Sequence, residues 1–226
     1  MRLRASFIVL LILYIVLAIA AHQYQYFAID YEITKTVQAI NFPGFYSLMI
    51  FLSALGSGWI PFVLTGIASI ALILRGHRFA GIVCAVGVSL ASTCNALVKV
   101  IVARPRPSVE LVHLIGEPMH QSFSSGHTVF YSTFFGFLLF LSYIFIIQPR
   151  LRRFVISILS LMILLIGVSR IYEGAHWASD VLGGYLAGGL WLMMMIESYR
   201  RLQAKRQLQS KADKEPVVYN PKVPDS

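Results

Sequence analysis

Charge is scarce in this chain of 226 residues: Asp, Glu, Lys and Arg together make up 13% of it, where a soluble domain carries about 25%. Acid is scarcer than base, with 10 Asp and Glu against 19 Lys and Arg. That shortage, beside 57% hydrophobic residues, excludes an ordinary water-soluble enzyme and an intrinsically disordered chain. Cysteine is almost absent. Cys84 and Cys94 fall in one apolar run, and ten helical residues separate them by about 15 Å. A disulfide needs Cα atoms within about 7 Å, so the two are not paired with each other and read as small packing residues. No internal repeat and no separate soluble domain is visible.

What is present instead is a series of uncharged runs of bilayer length. The first, a span expected over residues 3–21 and uncharged from Ala5 onward, follows a short basic start. It is long for the core of a signal peptide, and more spans follow, so it reads as a retained helix. Residues 42–74 contain no charge at all. That run is too long for one upright helix and too short for two full spans, and Gly56-Ser57-Gly58 interrupts it. The expectation is an interfacial or partly inserted helix up to Leu55, then a span over 59–74. Ahead of it, residues 30–41 are mixed in polarity and read as an amphipathic segment at the membrane surface. Further spans are expected at 79–102, 128–147, 154–169 and 177–196. The predicted fold class is therefore all-α: a polytopic bundle of six transmembrane helices with an extra amphipathic or partly inserted segment between spans 1 and 2. Residues 1–211 form one membrane-embedded domain, and the polar, proline-rich stretch 212–226 is a disordered tail. Residues 103–127 hold Pro105, Pro107 and Pro118 and read as a structured loop.

Six spans place both termini on one side, and the charges say which. The terminal side, with the 75–78 and 148–153 turns, holds 14 of the 19 bases and four of the ten acids, a net +10. The other side holds five bases and six acids, a net −1. The basic side is the cytoplasmic one. The overall positive charge therefore argues orientation, not nucleic-acid binding.

The few bases on the near-neutral side oppose that bias and invite a local reason. Three clusters stand there at span edges: Lys99 to Pro107, with Arg104 and Arg106; Ser124-Ser125-Gly126-His127; and Ser169 to Asp180, with Arg170 and His176. Together they suggest phosphoryl transfer. Lys99, Arg106 and Arg170 can neutralise a phosphate and the charge developing on its oxygens. Ser125 and Gly126 open a helix whose backbone N–H groups can receive an anion. His176 and Asp180 are four apart, on one helical face. The acid can hold the imidazole in one tautomer and leave the other nitrogen free to attack phosphorus. His127 is then the general acid for the leaving oxygen and, later, the base for water.

Each piece alone has a plainer reading. A cation at a helix end snorkels, Ser-Ser-Gly caps a helix, and a His–Asp pair four apart is a salt bridge. Tyr172 and Trp177 read as interfacial belt residues. Their joint type, order and sidedness favour chemistry. A metal site built from His127, His176 and Asp180 is the chemical rival. Three neighbouring cations oppose it, and Asp180 is the only carboxylate expected in the constellation, so no metal and no cofactor is expected.

These residues resemble the signature of the type 2 phosphatidic acid phosphatase (PAP2) superfamily. Its first part, Lys-x6-Arg-Pro, matches Lys99, Arg106 and Pro107. Its third, Ser-Arg-x5-His-x3-Asp, matches Ser169, Arg170, His176 and Asp180. Its second, Pro-Ser-Gly-His, is met by Ser125, Gly126 and His127, with Ser124 where the family has proline. Arg104 offers a second Arg-Pro at the wrong spacing, so Arg106 is favoured. The resemblance implies a six-helix, metal-independent phosphatase with His176 as nucleophile, Asp180 as its orienting partner and His127 as acid and base. Lys99, Arg106, Ser125, Gly126 and Arg170 would surround the phosphate. It further implies a multi-pass protein of the bacterial inner membrane whose site faces the periplasm or exterior. The substrate would be an amphiphilic lipid phosphate or diphosphate, with undecaprenyl diphosphate or phosphatidylglycerol phosphate first. A lipid A phosphatase, a lipid phosphotransferase and a soluble-sugar phosphatase are alternatives of the same fold. A non-catalytic membrane scaffold is the alternative of another class, and it predicts losses among the motif residues.

Overall fold

A backbone in lipid must satisfy its own N–H and C=O groups, which a helix does internally. The structure, a computed structural model, describes residues 2–116 and 121–212. Helix α1 (Arg2–Gln23) is followed by α2 (Ala28–Gln38), α3 (Phe45–Leu55), α4 (Ile60–Leu74), α5 (Arg78–Val102), α6 (Gly126–Phe145), α7 (Pro149–Tyr172) and α8 (Ala178–Ala212). Among the described residues α1, α5, α6, α7 and α8 are each long and apolar enough to cross a bilayer, and the pair α3–α4 makes a sixth, broken span. The expected all-α membrane bundle is what forms, with the extra segments between spans 1 and 2.

The second span differs in construction from the expected one. α4 has 15 residues, about 22 Å of helix, short of a hydrocarbon core of roughly 30 Å. It qualifies as a span only together with α3, from which it is bent by 66°. The bend has a local cause. A Cβ on Gly56 would stand 2.5 Å from His127 Cδ2, so only glycine lets this turn press against the start of α6. Ahead of the bend, α3 lies on the last turns of α7: Phe45 meets Tyr172 edge-on at 5.0 Å, and Ser169 Oγ donates to Met49 O at 2.8 Å.

α2 is the amphipathic segment. It buries Asp30 and Thr34, and at its end Gln38 Nε2 donates to His113 O (2.6 Å) and Tyr172 O (3.0 Å). α8 runs to Ala212, well beyond the expected end at 196. Charged residues carry it on past the apolar stretch, with Arg201 reaching back to Glu197 at 2.6 Å. After Ala212 the expected tail lies outside the described residues, as do Glu117 and Pro118 of the loop. Cys84 and Cys94 are free.

The core centres on α6, which has no charged residue and packs against α5, α7 and α8. Val129, Tyr131, Phe134, Phe137 and Leu141 are buried along it. The glycine pairs of α8 serve this packing inside the bundle. A Cβ on Gly184 would stand 2.7 Å from Thr128 Cβ and 2.9 Å from Ser125 O, whereas one on Gly189 would meet nothing within 4 Å. Gly184→Ala should therefore cost about 1–3 kcal/mol by overpacking. Gly189→Ala should be neutral or gain about 0.5–1 kcal/mol from lost unfolded-state freedom. Thermal midpoints of the two variants in detergent check the contrast.

Candidate active site

The three sequence clusters meet at one end of the bundle because the helices alternate in direction. α5 and α7 end there, α6 and α8 begin there, and loop residues Arg104, Arg106, Gln121 and Ser122 bond to groups at these ends. Lys99 stands in the last turn of α5, where its Nζ donates to the carbonyls of Gln121 (2.7 Å) and Ser122 (3.1 Å). Arg106, in the loop, donates from Nη1 to Ala175 O at 2.7 Å. The same nitrogen lies 3.3 Å from His176 Nε2. Arg170 closes α7 and pairs with Glu173 at 2.7 Å. It also donates to Ser53 Oγ. Its Nε is buried and has no hydrogen-bond partner among the described residues.

His176 lies in the turn between α7 and α8 and is 2% exposed. Burial first, and then the positive charges of Lys99, Arg106 and Arg170, hold its imidazole well below the usual histidine value. The pairing with Asp180 is less direct than the spacing predicts. Nδ1 lies 3.7 Å from Asp180 Oδ2, beyond hydrogen-bond reach. Ser122 stands between them: its hydroxyl donates to Asp180 Oδ2 and lies 3.4 Å from His176 Nδ1. Asp180 Oδ2 also accepts from Trp177 N–H at 2.9 Å, as an acid three residues into a helix reaches back to its start. Trp177 is no belt residue. It is 1% exposed and stacks on Tyr26 at 5.1 Å.

Ser125 caps α6. One expectation changes here: the Ser125 N–H is already committed, donating to Asp180 O at 3.1 Å. The first-turn N–H groups from Gly126 onward are those left to face an anion. His127 follows, with Nε2 within 2.9 Å of Ser57 Oγ and 3.2 Å of Ser53 O. Arg170, His176 and Arg106 are all within electrostatic reach of it. Ser124, in the place of the family's proline, is tied to α5: its Oγ donates to Asn95 Oδ1 at 2.5 Å. All eight expected site residues thus stand at this end.

The structure also assembles residues that the sequence reading passed over. Ser53 and Ser57 come from the broken span, and their spacing of four in a charge-free run was the available signal. Arg104 is buried. It lies between Asp180 Oδ1 (2.6 Å) and Asp30 Oδ2 (3.0 Å). Asp180 is therefore not the only carboxylate present, since Glu173 and Asp30 are built in as well. Each of these two is matched to an arginine, and no group of three or more His, Cys, Asp or Glu able to hold a metal occurs among the described residues.

Comparison with known proteins agrees with this geometry. The profile of the PAP2 superfamily matches residues 78–204. An undecaprenyl-diphosphatase of Sulfolobus acidocaldarius is 28% identical over 84% of this chain and 90% of its own. Phosphatidylglycerophosphatase B of Bacillus subtilis is 24% identical over 84% and 92%. Among solved structures, a PAP2 type phosphatidylglycerolphosphate phosphatase of Bacillus subtilis superposes with a TM-score of 0.71 at 23% identity, over 86% of this chain and 96% of that one. LpxE of Aquifex aeolicus does so with 0.57 at 25% identity, over 76% and 96%.

The two ion pairs of contrasting exposure make a test. Arg170 and Glu173 are 9% and 8% exposed, so Glu173→Gln strands a buried cation and should cost about 3 kcal/mol or more. Arg201 and Glu197 are 70% and 40% exposed, and Glu197→Gln should cost less than about 1 kcal/mol. Unfolding free energies of the two variants in mixed micelles measure the difference.

Proposed function

The chain belongs to the PAP2 superfamily, and from that premise we propose that it is a metal-independent phosphatase of membrane lipid phosphates working through a phosphohistidine. The observation that carries the reading is the buried cationic cup around a neutral histidine. Lys99, Arg106 and Arg170 all act electrostatically on His176, and the Arg170 Nε–H is buried without an acceptor among the described residues. An unsatisfied buried donor is costly, and a phosphate oxygen satisfies it. Three cations suit a phosphoryl group and repel a metal ion.

In this mechanism His176 Nε2 attacks phosphorus while Nδ1–H faces the Ser122 hydroxyl, which Asp180 anchors. The bond from phosphorus to the lipid oxygen breaks, and His127 delivers a proton to that oxygen. Lys99, Arg106, Arg170 and the N–H groups at the start of α6 hold the equatorial oxygens. Water, losing its proton to His127, then cleaves the P–N bond and releases inorganic phosphate. Ser125 contributes through its place at the helix start, since its own N–H is bonded to Asp180.

Undecaprenyl diphosphate or phosphatidylglycerol phosphate is the favoured substrate, supported by the names of the two sequence relatives. The charge asymmetry supports cytoplasmic termini and a site at the outer face, where the phosphate of an amphiphile is reached while its tail stays in lipid.

Phosphate release should be measured in detergent with chelator present, over a panel of lipid monophosphates, lipid diphosphates and lipid A. Activity should persist in chelator. His176→Ala should lose at least about a thousandfold in kcat, as removal of a nucleophile does; full activity in that variant would exclude the nucleophile. The depressed imidazole stays neutral as pH falls through the usual histidine value, so the acid limb of kcat/KM should lie below about pH 6.5.

A further inference from the structure

The acid that faces His176 is shared. Arg104 Nη1 sits 2.6 Å from Asp180 Oδ1, with both side chains at 0% exposure. A guanidinium that close, unscreened by water, neutralises a carboxylate, which would leave little negative charge for the imidazole. The other edge of the guanidinium meets a second acid. Asp30 Oδ2 lies 3.0 Å from Arg104 Nη2. Asp30 is itself fixed, accepting from Ser179 N (2.8 Å), Ser179 Oγ (2.6 Å) and Phe27 N (3.1 Å). Ser179 Oγ accepts in turn from Arg104 Nη1 at 2.7 Å. Arg104 Nε is occupied by the Gln25 carbonyl at 3.1 Å. The cluster therefore holds two acids and one base, a net −1. Asp30 comes from α2, outside the stretch that matches the family profile.

We propose that Asp30 and Arg104 are positioning residues for phosphoryl transfer: Asp30 takes up the charge of Arg104, so that Asp180 keeps its own for His176. The proposal rests on His176 as nucleophile. As the nucleophile bonds to phosphorus it becomes cationic, and the nearest groups are unfavourable to that. Lys99 from α5, Arg106 from the loop and Arg170 from α7 are positive, and His127 of α6 and the Ser122 hydroxyl carry no negative charge. Asp180 supplies the opposing charge, and Arg104 would cancel it if Asp30 were not there. Arg104 is thus kept away from the phosphate by its two acids, while Arg106, two residues on, faces the nucleophile.

The test is steady-state kinetics and pH–rate profiles on the best lipid phosphate of the panel. Asp30→Asn, Arg104→Gln and the double variant are compared per unit of monodisperse protein. Asp30→Asn leaves Arg104 paired to Asp180 alone. Its kcat should fall roughly tenfold with KM within about twofold, and its acid limb should move to lower pH, because the imidazolium loses its counter-charge. The double variant removes one charge of each sign and restores the net −1. It should recover several-fold over Asp30→Asn and return the limb toward the wild-type position, which loss of a structural pin would not do. Unchanged kcat and limb in Asp30→Asn would overturn the proposal, as would a double variant no better than the worse single one. If Asp30→Asn yields no monodisperse protein, the double variant alone decides: a wild-type limb supports the proposal and a displaced limb refutes it. His176→Ala is run beside them. A dead His176→Ala with a wild-type Asp30→Asn rejects the positioning role alone, whereas an active His176→Ala rejects the nucleophile on which it rests.

Discussion

A cation taken out of water must be met by fixed oxygen atoms or it will not stay buried. The site end of this protein is organised around that requirement. Arg104, with no exposed surface, draws a carboxylate from α2 and another from α8 to its two edges. Its backbone carbonyl receives Ser122 N–H at 2.8 Å, which places Ser122 against Asp180. Lys99 then gathers the carbonyls of Gln121 and Ser122. The described parts of the proline-bearing loop are shaped by the groups that have to meet these charges.

The four cations at this end are alike in type and unlike in use. Arg104 is matched by two acids and knits helices together. Arg170 is matched by Glu173 on one edge and keeps on the other a buried N–H with no partner among the described residues. Lys99 is met by two neutral carbonyls, which orient a charge without cancelling it, and Arg106 donates to the Ala175 carbonyl beside His176. The positive potential around His176 comes from Lys99, Arg106 and Arg170. It falls where the phosphate reading needs it, beside the imidazole nitrogen that faces Arg106.

The apolar body of the bundle supplies the precision. α6 carries no charge and buries its aromatic residues among three neighbours, so its first turn is held firmly. Gly184 admits that turn to within contact of α8, close enough for Ser125 N–H to reach the Asp180 carbonyl. Gly56 admits His127 to the bend between α3 and α4, and the bend in turn delivers Ser53 and Ser57 to the histidine and to Arg170. A membrane span broken at the height of the site thus brings hydroxyls to groups that a straight helix would leave among side chains of its own face.

Much of this was legible before any coordinates. The uncharged runs required membrane helices, the distribution of bases suggested an orientation for them, and the spacings of Lys99 with Arg106 and of Arg170, His176 and Asp180 pointed to one set of helix ends, where the structure brings those residues together. Periodicity and charge bias are local or additive properties, so a single chain carries them openly. Which cation meets which acid is neither. Asp30 and Asp180 lie 150 positions apart in the chain, and only folding decides that Arg104 stands between them, that Ser122 intervenes between His176 and Asp180, that Glu173 joins Arg170, and that Trp177 is buried instead of lying at the interface. The sequence by itself determined the membrane bundle and singled out the candidate residues of the site. The tertiary structure decided their division of labour, because the effect of a buried charge depends on the nearest opposite charge in space, and sequence distance does not measure that.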